Sequence, residues 1–147
     1  MTKTILLIST CILFFSCAKK IEERLIGEWK LDTAYKKDLF GRDYFQTGYE
    51  SGRFTFYESG AAAYVNNTDT LSGYWKADYY SQSRYNSNTG NNDSELKKYL
   101  EVFLANFSRN KILSWKFDEF HFRNGWKCIR ATEYSLGRDR VYEFVKP

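Results

Sequence analysis

The sequence predicts a mostly-β domain: an up-and-down antiparallel barrel of roughly seven or eight strands with one helix. Three observations carry that expectation. Twelve Tyr, twelve Phe and four Trp stand against one Pro and one Met, and rings both favour strands and fill a core with little chain. Apolar residues alternate with period two in one segment after another. Short clusters of Gly, Asn, Ser and Asp separate those segments and turn the chain.

Ahead of the first strand lies an address. Met1-Thr2-Lys3 is a short positive start and Ile5 to Phe15 is an apolar run. The run is too short to cross a bilayer, which takes about 20 residues, but it suits a signal peptide. It ends in Phe14-Phe15-Ser16-Cys17, which resembles the looser bacterial lipobox of Bacteroidetes-type bacteria. That resemblance implies cleavage before Cys17, diacylglycerol on its sulfur and a further acyl chain, such as palmitate, on the new amine. At about 0.8 kcal/mol per buried CH₂, one chain binds reversibly and two or three hold. Residues 1–16 are then a leader, 17–24 a charged tether and 25–147 the folded domain. Ala18-Lys19-Lys20 has no aspartate of the inner-membrane retention kind, and Glu22 and Glu23 come late for a surface-export signal. The expected location is the outer membrane, lipid-anchored and facing the periplasm.

Charge and cysteines narrow the field. The formal net charge is +4, with lysines and acids interspersed, so there is no nucleic-acid footprint. Cys11 falls in the apolar run, Cys17 closes it, and Cys128 stands alone in a strand pattern as a small hydrophobe rather than half of a disulfide.

The strands follow in order. Leu25-Ile26-Gly27-Glu28-Trp29 opens the first, with Trp29, Leu31, Thr33 and Tyr35 expected on one face. Lys36 to Gly52 is a long connection, holding either a helical turn or an irregular strand near Tyr44-Phe45. Arg53 to Tyr57 and Ala61 to Val65 form a hairpin around Glu58-Ser59-Gly60, and Asn66 to Asp69 turns the chain again. Leu71, Gly73, Trp75, Ala77 and Tyr79 share a face of the next strand, with Gly73 marking a bend or bulge. Ser81 to Asp93 reads as a solvated loop. Asn92 and Glu95 look like a capping box, and Leu96, Tyr99, Leu100, Phe103, Leu104 and Phe107 then follow helical spacing, so the one helix is expected there. Leu100 to Leu104 is also compatible with a strand. Leu113, Trp115 and Phe117 share a face, Phe120 and Phe122 change phase across Asp118-Glu119, which suggests a bulge within the strand, and Asn124-Gly125 signals a hairpin. Val141 to Val145 closes the chain.

Leu25-x-Gly27-x-Trp29, Phe54-x-Phe56-x-x-x-Gly60 and Ser72-Gly73-x-Trp75 together resemble lipocalin-like (calycin) lipoproteins of Bacteroidetes-type bacteria. The resemblance extends loosely over Ile26 to Lys146. It implies an up-and-down barrel of seven or eight strands with Trp29 plugging the closed end, a late arginine (Arg138 or Arg140) across its indole, and the Lys36–Gly52 connection covering the open end.

Such a barrel either holds one small ligand or is filled by its own side chains. Two functions follow. In the first, a small apolar or amphipathic ligand is lined by Trp29, Leu31, Tyr35, Trp75, Tyr79, Trp115, Phe117 and Tyr142. In the second, a solid-core barrel serves as a protein-interaction or inhibitor module at the cell envelope. Enzymatic chemistry finds little support. His121 is the only histidine, and with Glu119 on the same strand face it makes an incomplete metal or acid–base set; no cofactor is expected. Asp32-Thr33-Ala34 and Asp69-Thr70-Leu71 resemble the O-glycosylation acceptor of the same bacterial group, the second better placed because it sits on a polar turn.

Overall fold

The computed structural model describes residues 20–147. The expected leader and Cys17 lie outside them. The expected tether reaches into the fold at its end: Ile21–Leu25 is a short helix, α1. Five residues do not hold a helix by propensity. Packing does, since Ile21 and Leu25 are buried and the Trp29 indole N–H donates to the Leu25 carbonyl at 2.7 Å.

Ten strands follow: β1 (Gly27–Lys37), β2 (Arg42–Tyr44), β3 (Arg53–Phe56), β4 (Ala61–Val65), β5 (Thr70–Asn86), β6 (Asn91–Asn106), β7 (Lys111–Phe117), β8 (Glu119–Arg123), β9 (Cys128–Glu133) and β10 (Asp139–Val145). All the pairings are antiparallel, in the order β7-β6-β5-β4-β3-β1-β10-β9-β8, with β2 added beside β1. β1 joins the two halves. Its Gly27–Trp29 segment pairs with β3, and Lys30 to Lys37 pairs with β10. The sheet is not closed by hydrogen bonds: β7 and β8 are its two ends. Both run opposite to β1, and Asp118 alone separates them along the chain. That break coincides with the phase change between Phe117 and Phe120, both of which are buried.

The expected helix is a strand. β5 and β6 pair without interruption from Ser72↔Ala105 to Asn86↔Asn91, so the expected loop at Ser81–Asp93 is also mostly strand. Only residues 87–90 turn, with Gly90 at φ +69° and its N–H donating to Asn86 O at 2.8 Å. Asn92 lies opposite Tyr85 and Glu95 opposite Gln82, so no capping box forms. Leu100, Val102 and Leu104 alternate into the core, while Phe103 stacks on Tyr74 on the outer face at 5.5 Å. Leu96 and Phe107, the ends of the supposed helical stripe, are exposed. A stripe at i, i+3, i+4 fits both periods when a strand is apolar on both faces. The ready partner in β5 decides it.

Gly73 neither bulges nor shifts the register. A Cβ there would lie 2.0 Å from the Phe103 carbonyl oxygen, so glycine is what lets β5 and β6 cross at close range.

Candidate functional site

Inside the curved sheet the expected ligand space is occupied by rings. Trp115, half-buried on β7, lies 5.6 Å from Phe54, 5.8 Å from Phe117, 5.3 Å from Tyr142 and 6.0 Å from Phe144. Phe117 meets Tyr142 at 5.1 Å, edge to face. Each side chain belongs to a different strand or register position, so no single strand makes the cluster. Rings at these separations and tilts add about 0.5–1.5 kcal/mol per pair beyond burial.

The eight residues expected to line a ligand separate into groups. Trp115, Phe117 and Tyr142 meet in this cluster. Leu31 is fully buried in the same core. Trp75 is buried further along β5 against Phe56 at 5.5 Å, its indole N–H donating to Tyr57 O at 2.9 Å and so holding the β3–β4 turn. Trp29 is fully buried over α1. Tyr35 is on the other face. A register shift between Leu31 and Thr33 turns Ala34 inward, and Tyr35 is buried outside, against Tyr44 of β2 and under the Arg42 guanidinium. Tyr79 is 45% exposed, because it lies past Ala77, the last interior residue of β5.

The cation over Trp29 is Lys146, with Nζ 5.0 Å from the ring centre, not Arg138 or Arg140. Those arginines lie at the opposite end of β10, where they pair with Asp38 and Asp43 and with Glu133 respectively.

Phe54, Phe144, Tyr49 and Tyr64, none of them among the residues expected to line a ligand, complete the ring cluster. Alternation marks the first two. Tyr49 lies in a connection, where periodicity carries no signal; the flanking Gly48 and Gly52 are its only trace. Its loop is built by the Glu50 carboxylate, which accepts the N–H groups of Thr47 (2.6 Å) and Gly48 (3.0 Å) and the Thr47 hydroxyl. The ring then sits 5.1 Å from Tyr64 and 5.6 Å from Trp115. A Cβ on Gly52 would lie 2.4 Å from the Tyr64 ring, so this loop closes down only because residue 52 has no side chain.

Outside that plug is an open cleft of about 480 Å³, lined by Tyr49, Tyr64, Leu71, Asn66, Asp69 and Lys111 among others. Asp69 is buried and binds the Lys111 ammonium and, at 2.9 Å, the Arg109 guanidinium. The hydrogen bond from Lys111 is the main reason its carboxyl is held below the ordinary aspartate range. The neighbouring Thr70, the first residue of β5, is exposed, whereas Thr33 is half-buried within β1.

His121 Nε2 lies 3.0 Å from Glu119, which also receives the Tyr134 hydroxyl and faces Lys97 at 3.9 Å. Burial raises the Glu119 carboxyl, but Tyr134, His121 and Lys97 overcome it and leave it below its usual range. His121 itself is largely exposed. Among the described residues no group of three or more His, Cys, Asp or Glu is arranged to hold a metal, and no helix is long and apolar enough to cross a membrane. Burial pushes the Cys128 thiol up, away from the reactive thiolate.

No protein-family model, curated protein or solved structure matches the chain.

Proposed function

We propose that this chain is a lipid-anchored lipoprotein of the cell envelope, lipocalin-like in fold, whose barrel is filled by its own rings and presents its outer surface to another protein. In this reading β7 and β8 are one strand bent at Asp118, which makes the ten-stranded sheet an eight-stranded barrel with β2 as an addition. Cys17 carries the acyl chains, and the domain faces the periplasm from the outer membrane. The role is that of an interaction or inhibitor module, without catalysis.

The ring cluster carries the functional half of this proposal. Trp115, Phe54, Phe117, Tyr142 and Phe144 stand where a lipocalin-like ligand would sit, and Tyr49 stops the mouth above them. Admitting a ligand means separating those rings, at several kcal/mol of lost packing. The cleft outside Tyr49 favours a second reading: a small amphipathic ligand held at the mouth rather than within.

Native mass spectrometry of the chain extracted in mild detergent from its own envelope tests the choice. Co-extraction with one envelope protein at fixed stoichiometry supports the module. A small molecule retained by the chain and lost in a Tyr49→Ala variant supports the second reading. Replacing Cys17 by Ser tests the anchor separately, through release into the soluble fraction.

A further inference from the structure

Leu39, Phe40 and Leu136 are the most exposed large apolar residues among those described, at 97%, 97% and 106% of full accessibility. They belong to two turns that lie side by side. Leu39 and Phe40 form the tip between β1 and β2, and Leu136 the tip between β9 and β10. Lys37 pairs with Asp139 in the β1–β10 ladder, and Arg138 reaches Asp38 at 3.2 Å.

The tips are built, not slack. Asp38 Oδ1 accepts the N–H groups of Phe40 (2.8 Å) and Gly41 (2.9 Å), while Oδ2 takes the Arg138 guanidinium. The carboxylate thereby spends its acceptors inward and holds the two side chains pointing away from the body. Arg138 and Arg140 are paired with Asp38, Asp43 and Glu133, and the cations left without an ion pair beside the tips, among the described residues, are Lys36, Lys37 and Arg42.

We infer that this paired tip docks on an anionic lipid surface, inserting Leu39, Phe40 and Leu136 among the acyl chains while the basic residues meet the headgroups. A convex apolar point with Lys36, Lys37 and Arg42 beside it matches that partner in shape and charge; interfacial binding grows with apolar area and with attraction to anionic lipid. The tip lies at the far end of β1 from α1, roughly 30 Å along the strand. Its contact with lipid is therefore read separately from any acyl chain on Cys17.

A Phe40→Trp variant of the full chain supplies the probe. It is mixed with brominated vesicles of phosphatidylethanolamine and phosphatidylglycerol, and with brominated phosphatidylcholine vesicles, against the unsubstituted chain. The expected result is extra tryptophan quenching on the anionic vesicles, weaker on phosphatidylcholine and reduced by salt. Adding Leu39→Ser and Leu136→Ser lowers partitioning at this site by at least about tenfold. Because all three side chains are exposed, circular dichroism stays unchanged. A chain that binds vesicles without quenching at position 40 overturns the inference and leaves tethering untouched. Equal quenching on both lipids overturns the anionic preference. Protection of position 40 from acrylamide that depends on protein concentration, without vesicles, assigns the tip to a second copy of the chain and overturns it as well.

Discussion

The β5–β6 hairpin contains two regions with the same backbone and opposite surroundings. Leu71, Trp75 and Ala77, with Leu100, Val102 and Leu104 opposite, are sealed in the core, whereas Ser81–Arg84 and Asn91–Leu96 are exposed throughout. The ladder does not change between them. What changes is the number of neighbours. β4 accompanies β5 only as far as Tyr74, and β7 accompanies β6 only from Leu100. Past them Tyr80 and Lys97 still reach Asp118, Glu119 and Tyr134, and from Ser81 and Leu96 outward the hairpin is a two-stranded arm; two strands alone are marginal in water. Hydrogen bonding draws the strands; a third layer of side chains holds them.

The largest effects then belong to the sealed region. Phe54→Ala removes a fully buried ring touching Tyr49, Tyr64, Trp115 and Phe144, and is expected to cost about 3–5 kcal/mol in urea unfolding. Leu100→Ala should cost about 2–5 kcal/mol. A result below 1 kcal/mol at either site would dissolve the contrast. Gly73→Val tests the close crossing from the other direction. It forces the Phe103 backbone away and should cost about 1–3 kcal/mol, or more if the strands part. At the small end, Tyr85→Ser and Leu96→Ser on the arm should each fall within about 0.5 kcal/mol of the parent. Identical losses in arm and body would mean that the arm is part of the cooperative core.

Acid sharpens the comparison at the other end of β5. Asp69 has a folded pKa below its unfolded value, so its contribution is complete above about pH 4 and is lost as pH falls through the folded pKa. Lys111→Met removes the main cause of that depression. Tm should then fall at neutral pH, where the contribution is complete, and the gap between variant and parent should narrow as pH drops below about 4.

How much of this was legible in sequence depends on how many partners each residue needs. The β3–β4 hairpin and the Asn124-Gly125 turn with both φ positive follow from alternation and turn chemistry over a few residues, and they stand as read; the bulge expected within one strand at Asp118 is instead a break between β7 and β8, at opposite ends of the hydrogen-bonded order. β6 does not. Its apolar residues satisfy two periods at once, and only the pairing with distant β5 selects between them. Tyr35 departs from its expected face because a single irregularity between Leu31 and Thr33 inverts everything after it. The ring cluster was half legible: Trp115, Phe117 and Tyr142 carry the strand signal, while Tyr49 arrives from a loop built by Glu50 and admitted by Gly52.

The central claim is that the body encloses rings and not a ligand. Titrating the folded chain with a fluorescent fatty acid while following tryptophan emission tests it most directly. The account predicts no saturable change in emission from the buried indoles. Saturation at one probe per chain, with quenching abolished by Trp115→Phe, would show that the rings part to admit a ligand and would contradict it.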